Sequence, residues 1–244
     1  MRKHVTIPHY VRILHKPFAA VTHKFTCNRE DLPGTIACVV TRNPVAALTF
    51  DDGPHPEYTP HLLDILERYQ ARATFFMIGD VAQKHPQLVR RVFQEGHVIG
   101  NHSWDHPFFP SLSGRVRREQ IRACEHVLAP YGQRLFRPPY GAQSLVSHLD
   151  ALWLRYKVVT WNLEAKDWHG HNADWMADRL TREIRPGSIV LLHDAIYRSQ
   201  QPVPQYNREP MLAAVTLVLE RLGDRFRFVT VPELLRHGRP RWHD

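Results

Sequence analysis

Five short clusters between Asp51 and His193 carry side chains able to do hydrolytic chemistry. Asp51 and Asp52 stand together in Thr49-Phe50-Asp51-Asp52-Gly53, and His102 and His106 lie four apart in His102-Ser103-Trp104-Asp105-His106. Arg137 opens Arg137-Pro138-Pro139-Tyr140-Gly141, Asp167 precedes Trp168, and His193 ends Leu191-Leu192-His193. The i, i+4 spacing predicts that one helical turn presents both imidazoles to the same side. A carboxylate from a neighbouring loop then completes a three-ligand set that leaves one coordination position open, as catalytic zinc sites do. Alone, such a pair reads more readily as two surface histidines, since the spacing recurs by chance.

Adjacent residues leaving a strand point in different directions, so one aspartate can hold a metal while the other faces a substrate. As a glycosidase pair they fail, because the two carboxylates of such an enzyme flank a sugar from opposite faces, about 5–10 Å apart. By itself Asp-Asp-Gly-Pro is a capped turn. A lone His193 at the end of an apolar run is ordinarily a core residue, but Asp167 and Trp168 on a nearby loop are placed to orient it and wall a pocket. Arg137 stays charged and can bind a carboxylate bidentately; its plain alternative is a surface ion pair worth little.

These clusters follow elements that alternate. Apolar runs of strand type occur at 45–50, 73–78, 97–101, 135–137, 157–162, 188–192 and 226–231. Helical stripes lie between most of them: Leu62, Ile65, Leu66 and Tyr69; Leu145, Leu149 and Leu152; Met176, Leu180 and Ile184; Met211, Val215, Val218 and Leu222. Strand and helix in turn imply parallel strands with crossover helices. The expected fold is α/β, a distorted or incomplete (β/α) barrel of about seven parallel strands; order alone leaves a doubly wound sheet open. In either, loops at the carboxyl ends of the strands share one face, so all five clusters converge on one rim.

The 244 residues suit one such domain, here 44–244, preceded by an extension, 1–43, expected to pack on the barrel. A formal charge of +8 favours an acidic partner. Its densest run, Arg115-Val116-Arg117-Arg118, interleaves with apolar positions like the wet face of a helix, and no nucleic-acid motif accompanies it, so nucleic acid is not an expected partner. Tyr10-Val11, Ile13-Leu14 and Phe18 among basic residues leave a peripheral membrane contact open, although Pro17 interrupts the pattern. No stretch is long and apolar enough to span a bilayer. Cys27, Cys38 and Cys124 form no paired framework and read as reduced thiols; with no export signal visible, the expected compartment is cytoplasmic. The oligomeric state is not legible.

Taken together, the five stretches resemble the NodB-homology, or polysaccharide deacetylase, family of carbohydrate esterases. Thr49–Gly53, His102–His106, Arg137–Gly141, Asp167-Trp168 and Leu191–His193 match its five motifs in order, and the likeness runs to about Leu235. Relatives often carry an aspartate before the Asp-Trp where this chain has Glu164. The resemblance implies a distorted barrel holding a divalent metal, zinc or cobalt, on Asp52, His102 and His106. It further implies Asp51 as general base, His193 as general acid, Arg137 orienting Asp51 and Asp167 tuning His193. The Tyr140 N–H would face the oxyanion, and Trp168 and Leu191 would cradle the acetyl methyl. The expected activity is removal of N-acetyl groups from a chito-oligosaccharide, peptidoglycan, or lipid-linked or capsular glycan, with release of acetate. The alternatives are an amidase acting on a small non-sugar amide, and an inactive glycan-binding member. The loop at 195–209, outside the motifs, is where specificity is expected.

Overall fold

A computed structural model describes residues 32–197 and 206–241. In chain order its elements are β1 (Cys38–Val40), β2 (Val45–Asp51), α1 (Tyr58–Arg68), β3 (Ala73–Met77), α2 (Gly79–Lys84), α3 (Pro86–Gln94) and β4 (Val98–Asn101). There follow α4 (Gly114–Leu128), β5 (Gly132–Phe136), α5 (Leu145–Trp153), β6 (Lys157–Val158), β7 (Leu163–Glu164) and α6 (Ala173–Glu183). The chain closes with β8 (Ile189–His193), α7 (Glu209–Leu222), β9 (Arg227–Phe228), α8 (Val231–Leu234) and β10 (Arg239–Arg241).

Seven parallel strands in the order β6-β5-β4-β3-β2-β8-β7 curl into a half-barrel, and β9 adds to β2. The period-2 alternation explains the layers. On β2 and β8, Ala46, Leu48, Phe50, Val190 and Leu192 join the helices in the outer core, whereas Val45, Ala47, Ile189 and Leu191 fill the interior. Each fully buried aliphatic or aromatic side chain is worth about 1.5–3 kcal/mol. The interior line continues through Thr49 to Asp51 on β2 and to His193 on β8, and these two residues lie side by side in register. Asp51 and His193 are thus the last rungs of the buried ladder. The expected run at 157–162 is two short strands, β6 and β7, with the chain crossing the open seam of the half-barrel between them. Of the expected N-terminal extension, residues 32–43 pack here: Ile36 bridges Val159, Cys38 bridges Ser188, and β1 pairs antiparallel with β10. Residues 1–31, with Cys27 and the basic apolar stretch, lie outside the described residues. Cys38 and Cys124 are free thiols.

Two expectations about helix faces are corrected. The Leu145, Leu149 and Leu152 stripe of α5 faces outward, and Ser147, His148 and Ala151 are buried instead. Polar partners hold that inner face: Ser144 and Ser147 form a capping box, His148 meets Gln143 at 2.9 Å, and Arg117 and Arg118 grip Asp150. Arg117, read as part of a wet face, is accordingly buried. No helix among the described residues is long and apolar enough to cross a membrane.

Candidate active site

Where β2, β4, β5 and β8 end, and in the loop after β7, the five motifs meet on one rim. Asp52 leaves β2 in a left-handed conformation, φ 73°. Its Oδ1 lies 3.4 Å from His102 Nε2 and 3.5 Å from His106 Nε2. Tetrahedral ligands about 2.1 Å from a shared ion stand about 3.4 Å apart. Oδ1 is buried with no hydrogen-bond partner among the described residues, while Oδ2 accepts from the Tyr197 N–H at 3.0 Å. His102 directs Nδ1 at the Arg137 carbonyl, 2.7 Å away, which leaves Nε2 as the ligand atom. Burial alone would raise the Asp52 carboxyl, but His106, His102 and His193 outweigh it and hold the pKa well below the usual range. An orphaned carboxylate oxygen between two imidazoles fits a divalent cation.

The two histidines do not share a helical turn. Ser103 and His106 take positive φ, 70° and 57°, and side chains satisfy the loop amides. Asn101 accepts from Ser103, Gln120 from Trp104 and Asp105, and Ser103 from His106. Two left-handed residues do what a helix turn would, setting the rings 4.9 Å apart.

Asp51, also buried, accepts from Arg137 Nη1 at 2.7 Å and places Oδ2 3.7 Å from His102 Nε2. Arg137 is fully buried, not a surface ion pair: it also donates to Thr49 Oγ1 and to the carbonyls of Val159 and Thr160, and lies over the Phe76 ring at 4.1 Å. Across the rim His193 Nδ1 is 3.1 Å from Asp167 Oδ1, and its backbone N–H donates to Asp167 Oδ2 at 2.9 Å. Burial pulls His193 down, but Asp167, with Asp52 and Asp51, outweighs it and pushes the pKa up to about 9.

A family model described as polysaccharide deacetylase matches residues 39–159, which takes in the first three motifs and starts before the expected boundary at 44. A peptidoglycan-N-acetylglucosamine deacetylase of Bacillus cereus is 36% identical over 198 residues, 79% of this chain and 89% of that protein. The chain belongs to the polysaccharide deacetylase family. A chitooligosaccharide deacetylase of Azorhizobium caulinodans is 39% identical over 153 residues, 60% of this chain and 72% of that one. The crystal structure of a peptidoglycan N-acetylglucosamine deacetylase in complex with 4-naphthalen-1-yl-N-oxidanyl-benzamide superposes with a TM-score of 0.76 at 31% identity, covering 85% of this chain and 95% of that one.

In this deacetylase fold the remaining expected residues also reach the rim. Tyr140 has φ 61° in the turn after β5, with its exposed ring edge-on to His106 at 4.5 Å. The Trp168 ring stands edge-on to His193 at 5.0 Å, and Leu191 is buried two residues below His193 on the same face of β8. Three further residues, two of them in the loop at 195–209, brace the rim through contacts that the sequence does not show. Arg208, buried, donates to Asp167 Oδ2 at 3.1 Å and to the Asp167 carbonyl at 3.3 Å. Tyr197 joins its N–H contact with Asp52 to a hydroxyl contact with Asp80 at 3.2 Å. Asp194, pushed up to about 7 by burial, accepts from Thr59 and packs against Gly53, where any side chain would collide with its carboxyl. The loop expected to set specificity lies largely outside the described residues.

Proposed function

We propose that the chain hydrolyses the N-acetyl group of an N-acetylglucosamine-type sugar, with zinc held by Asp52, His102 and His106. The observation that carries the reading is the pairing, on one rim, of that three-atom cation site with two separately braced proton-transfer groups, Asp51–Arg137 and His193–Asp167. Two imidazoles and one carboxylate suit zinc, with cobalt the alternative. A divalent ion held there polarises the acetyl carbonyl and acidifies water.

The chain's own side chains and one backbone amide do the rest. Asp51, fixed through Oδ1 by Arg137, takes the proton of the attacking water through Oδ2. The Tyr140 N–H faces the developing oxyanion. His193, protonated and oriented by Asp167, gives its proton to the departing sugar nitrogen, so acetate and a free amine leave. Trp168 and Leu191 line the space for the acetyl methyl. The substrate class rests on the relatives, whose names specify peptidoglycan and chito-oligosaccharide.

Acetate release from chito-oligosaccharides and from peptidoglycan, with zinc added, tests the reading. Asp51→Asn should lower turnover by about 10²–10⁴ while bound metal is unchanged, and His102→Ala should lose both. Near-normal turnover in Asp51→Asn would remove Asp51 as the base. A wild-type protein that releases acetate from neither substrate would overturn the reading.

A further inference from the structure

The outer face of α5 is more apolar than its inner one. Leu145, Val146, Leu149, Leu152 and Trp153 are each between 40% and 66% exposed, whereas the helix buries Ser147, His148 and Ala151. Five of the eleven exposed large apolar residues in the described structure stand on these nine positions. Such concentration on one face marks an interaction surface. Arginines edge it: the guanidinium groups of Arg118 and Arg122 on α4 lie 5.4 and 5.5 Å from the Trp153 ring. The nearby acidic groups are engaged, Asp150 by Arg117 and Arg118, and Glu119 by Arg115. Residues 114–157 hold eight Lys and Arg against three acidic residues, and leaving out Arg137, buried against Asp51, the segment keeps a surplus of four against a net charge of +8 for the whole chain.

We infer that the outer face of α5, with Arg118 and Arg122 at its edge, docks on an anionic lipid bilayer. Apolar side chains enter the acyl boundary while Trp and Arg settle among the headgroups, each with an apolar body and a polar end. Other occupants fit the charge less well. A second copy would bring one arginine edge against another. Residues 1–31 carry six Lys and Arg against Glu30 and Asp31, the same sign as the face. The turn holding Tyr140 lies just ahead of the Ser144 cap of α5, so the docked helix keeps the mouth of the rim at the lipid surface. The inference does not depend on the reaction assigned to that rim.

The test is flotation of the full-length protein with vesicles of phosphatidylcholine alone or mixed with phosphatidylglycerol. The expected result is binding to the mixed vesicles that weakens with salt, and little binding to phosphatidylcholine. Leu149→Glu with Trp153→Glu should weaken partitioning roughly tenfold or more, leaving the circular dichroism spectrum and melting temperature unchanged. Arg115→Glu with Arg122→Glu, which leaves the apolar face intact, should give a comparable loss and flatten the salt dependence. Wild-type protein that stays unbound overturns the inference. So does equal binding by both double variants, which would place the contact elsewhere in the chain, including residues 1–31. Light scattering that shows a wild-type dimer dissociated by the α5 substitutions would assign the face to a second copy, and capture of an acidic protein without lipid binding would assign it to that class.

Discussion

Arg208 takes Oδ2 of Asp167 and leaves Oδ1 to the His193 imidazole, so one buried carboxylate is shared between a permanent cation and a titrating one. Asp167 acts on His193 directly and Arg208 acts through Asp167, in opposite directions. If His193 delivers the proton, turnover needs the imidazolium and falls as pH rises through its pKa, near 9. Asp167→Asn removes the main group holding that proton, so the alkaline limb of kcat should move down by a unit or more. Arg208→Met removes a cation facing the same carboxylate, so the limb should move up while kcat falls through looser placement. A pH–rate profile of each variant checks the signs; a shift in the same direction for both would break the assigned network. The sequence places Arg208 in the loop at 195–209 but does not point it at Asp167. It stands outside every motif, and the carboxylate it serves is 41 positions away.

At the scale of elements, what could be read was what depends on local pattern. The strands were legible because short apolar runs bounded by turn residues have few other uses, and the rim followed because parallel strands all end on one side. The facing of α5 was not, since periodicity shows that a stripe exists but not which way it turns; the buried Ser147 and His148 are held by Ser144 and Gln143 contacts that no periodicity contains. The loop carrying the histidine pair was misread as a helix turn because nothing in the residue types of Ser103 or His106 announces a positive φ. His97, ahead of β4, adds a consequence for acid stability. It is buried against Phe75, accepts the Ala73 N–H, and is pushed down to about 4 by burial and by Arg72. The unfolded chain binds the proton more readily, so stability is full above about pH 6.5 and is lost as pH falls towards 4, by up to about 3 kcal/mol. Melting temperatures across that window should fall less steeply in His97→Gln; an identical slope would place the acid sensitivity elsewhere.

At the scale of the whole molecule, the cation site ties the two ends of the barrel sheet's central run to one another. Asp52 follows β2, the histidines follow β4, and β3 lies between those strands. The donors are preformed: the Asp52 carboxylate is buried, and the Arg137 carbonyl fixes His102. A folded protein that presents these atoms, against an unfolded chain that scatters them, binds the ion only in the native state, and binding is then folding stability. At a free concentration one hundred times Kd the gain is about 2.7 kcal/mol. For a chain of this length that raises the melting temperature by roughly 5–10 °C. Zinc or cobalt should therefore raise the wild-type melting temperature, a chelator should reverse the rise, and His102→Ala should show neither response. Asp51→Asn separates the two functions of the rim, because it should keep the metal-dependent rise while losing turnover. A rise of equal size in His102→Ala would mean the stabilising ion binds somewhere other than the site formed by Asp52 and the two histidines.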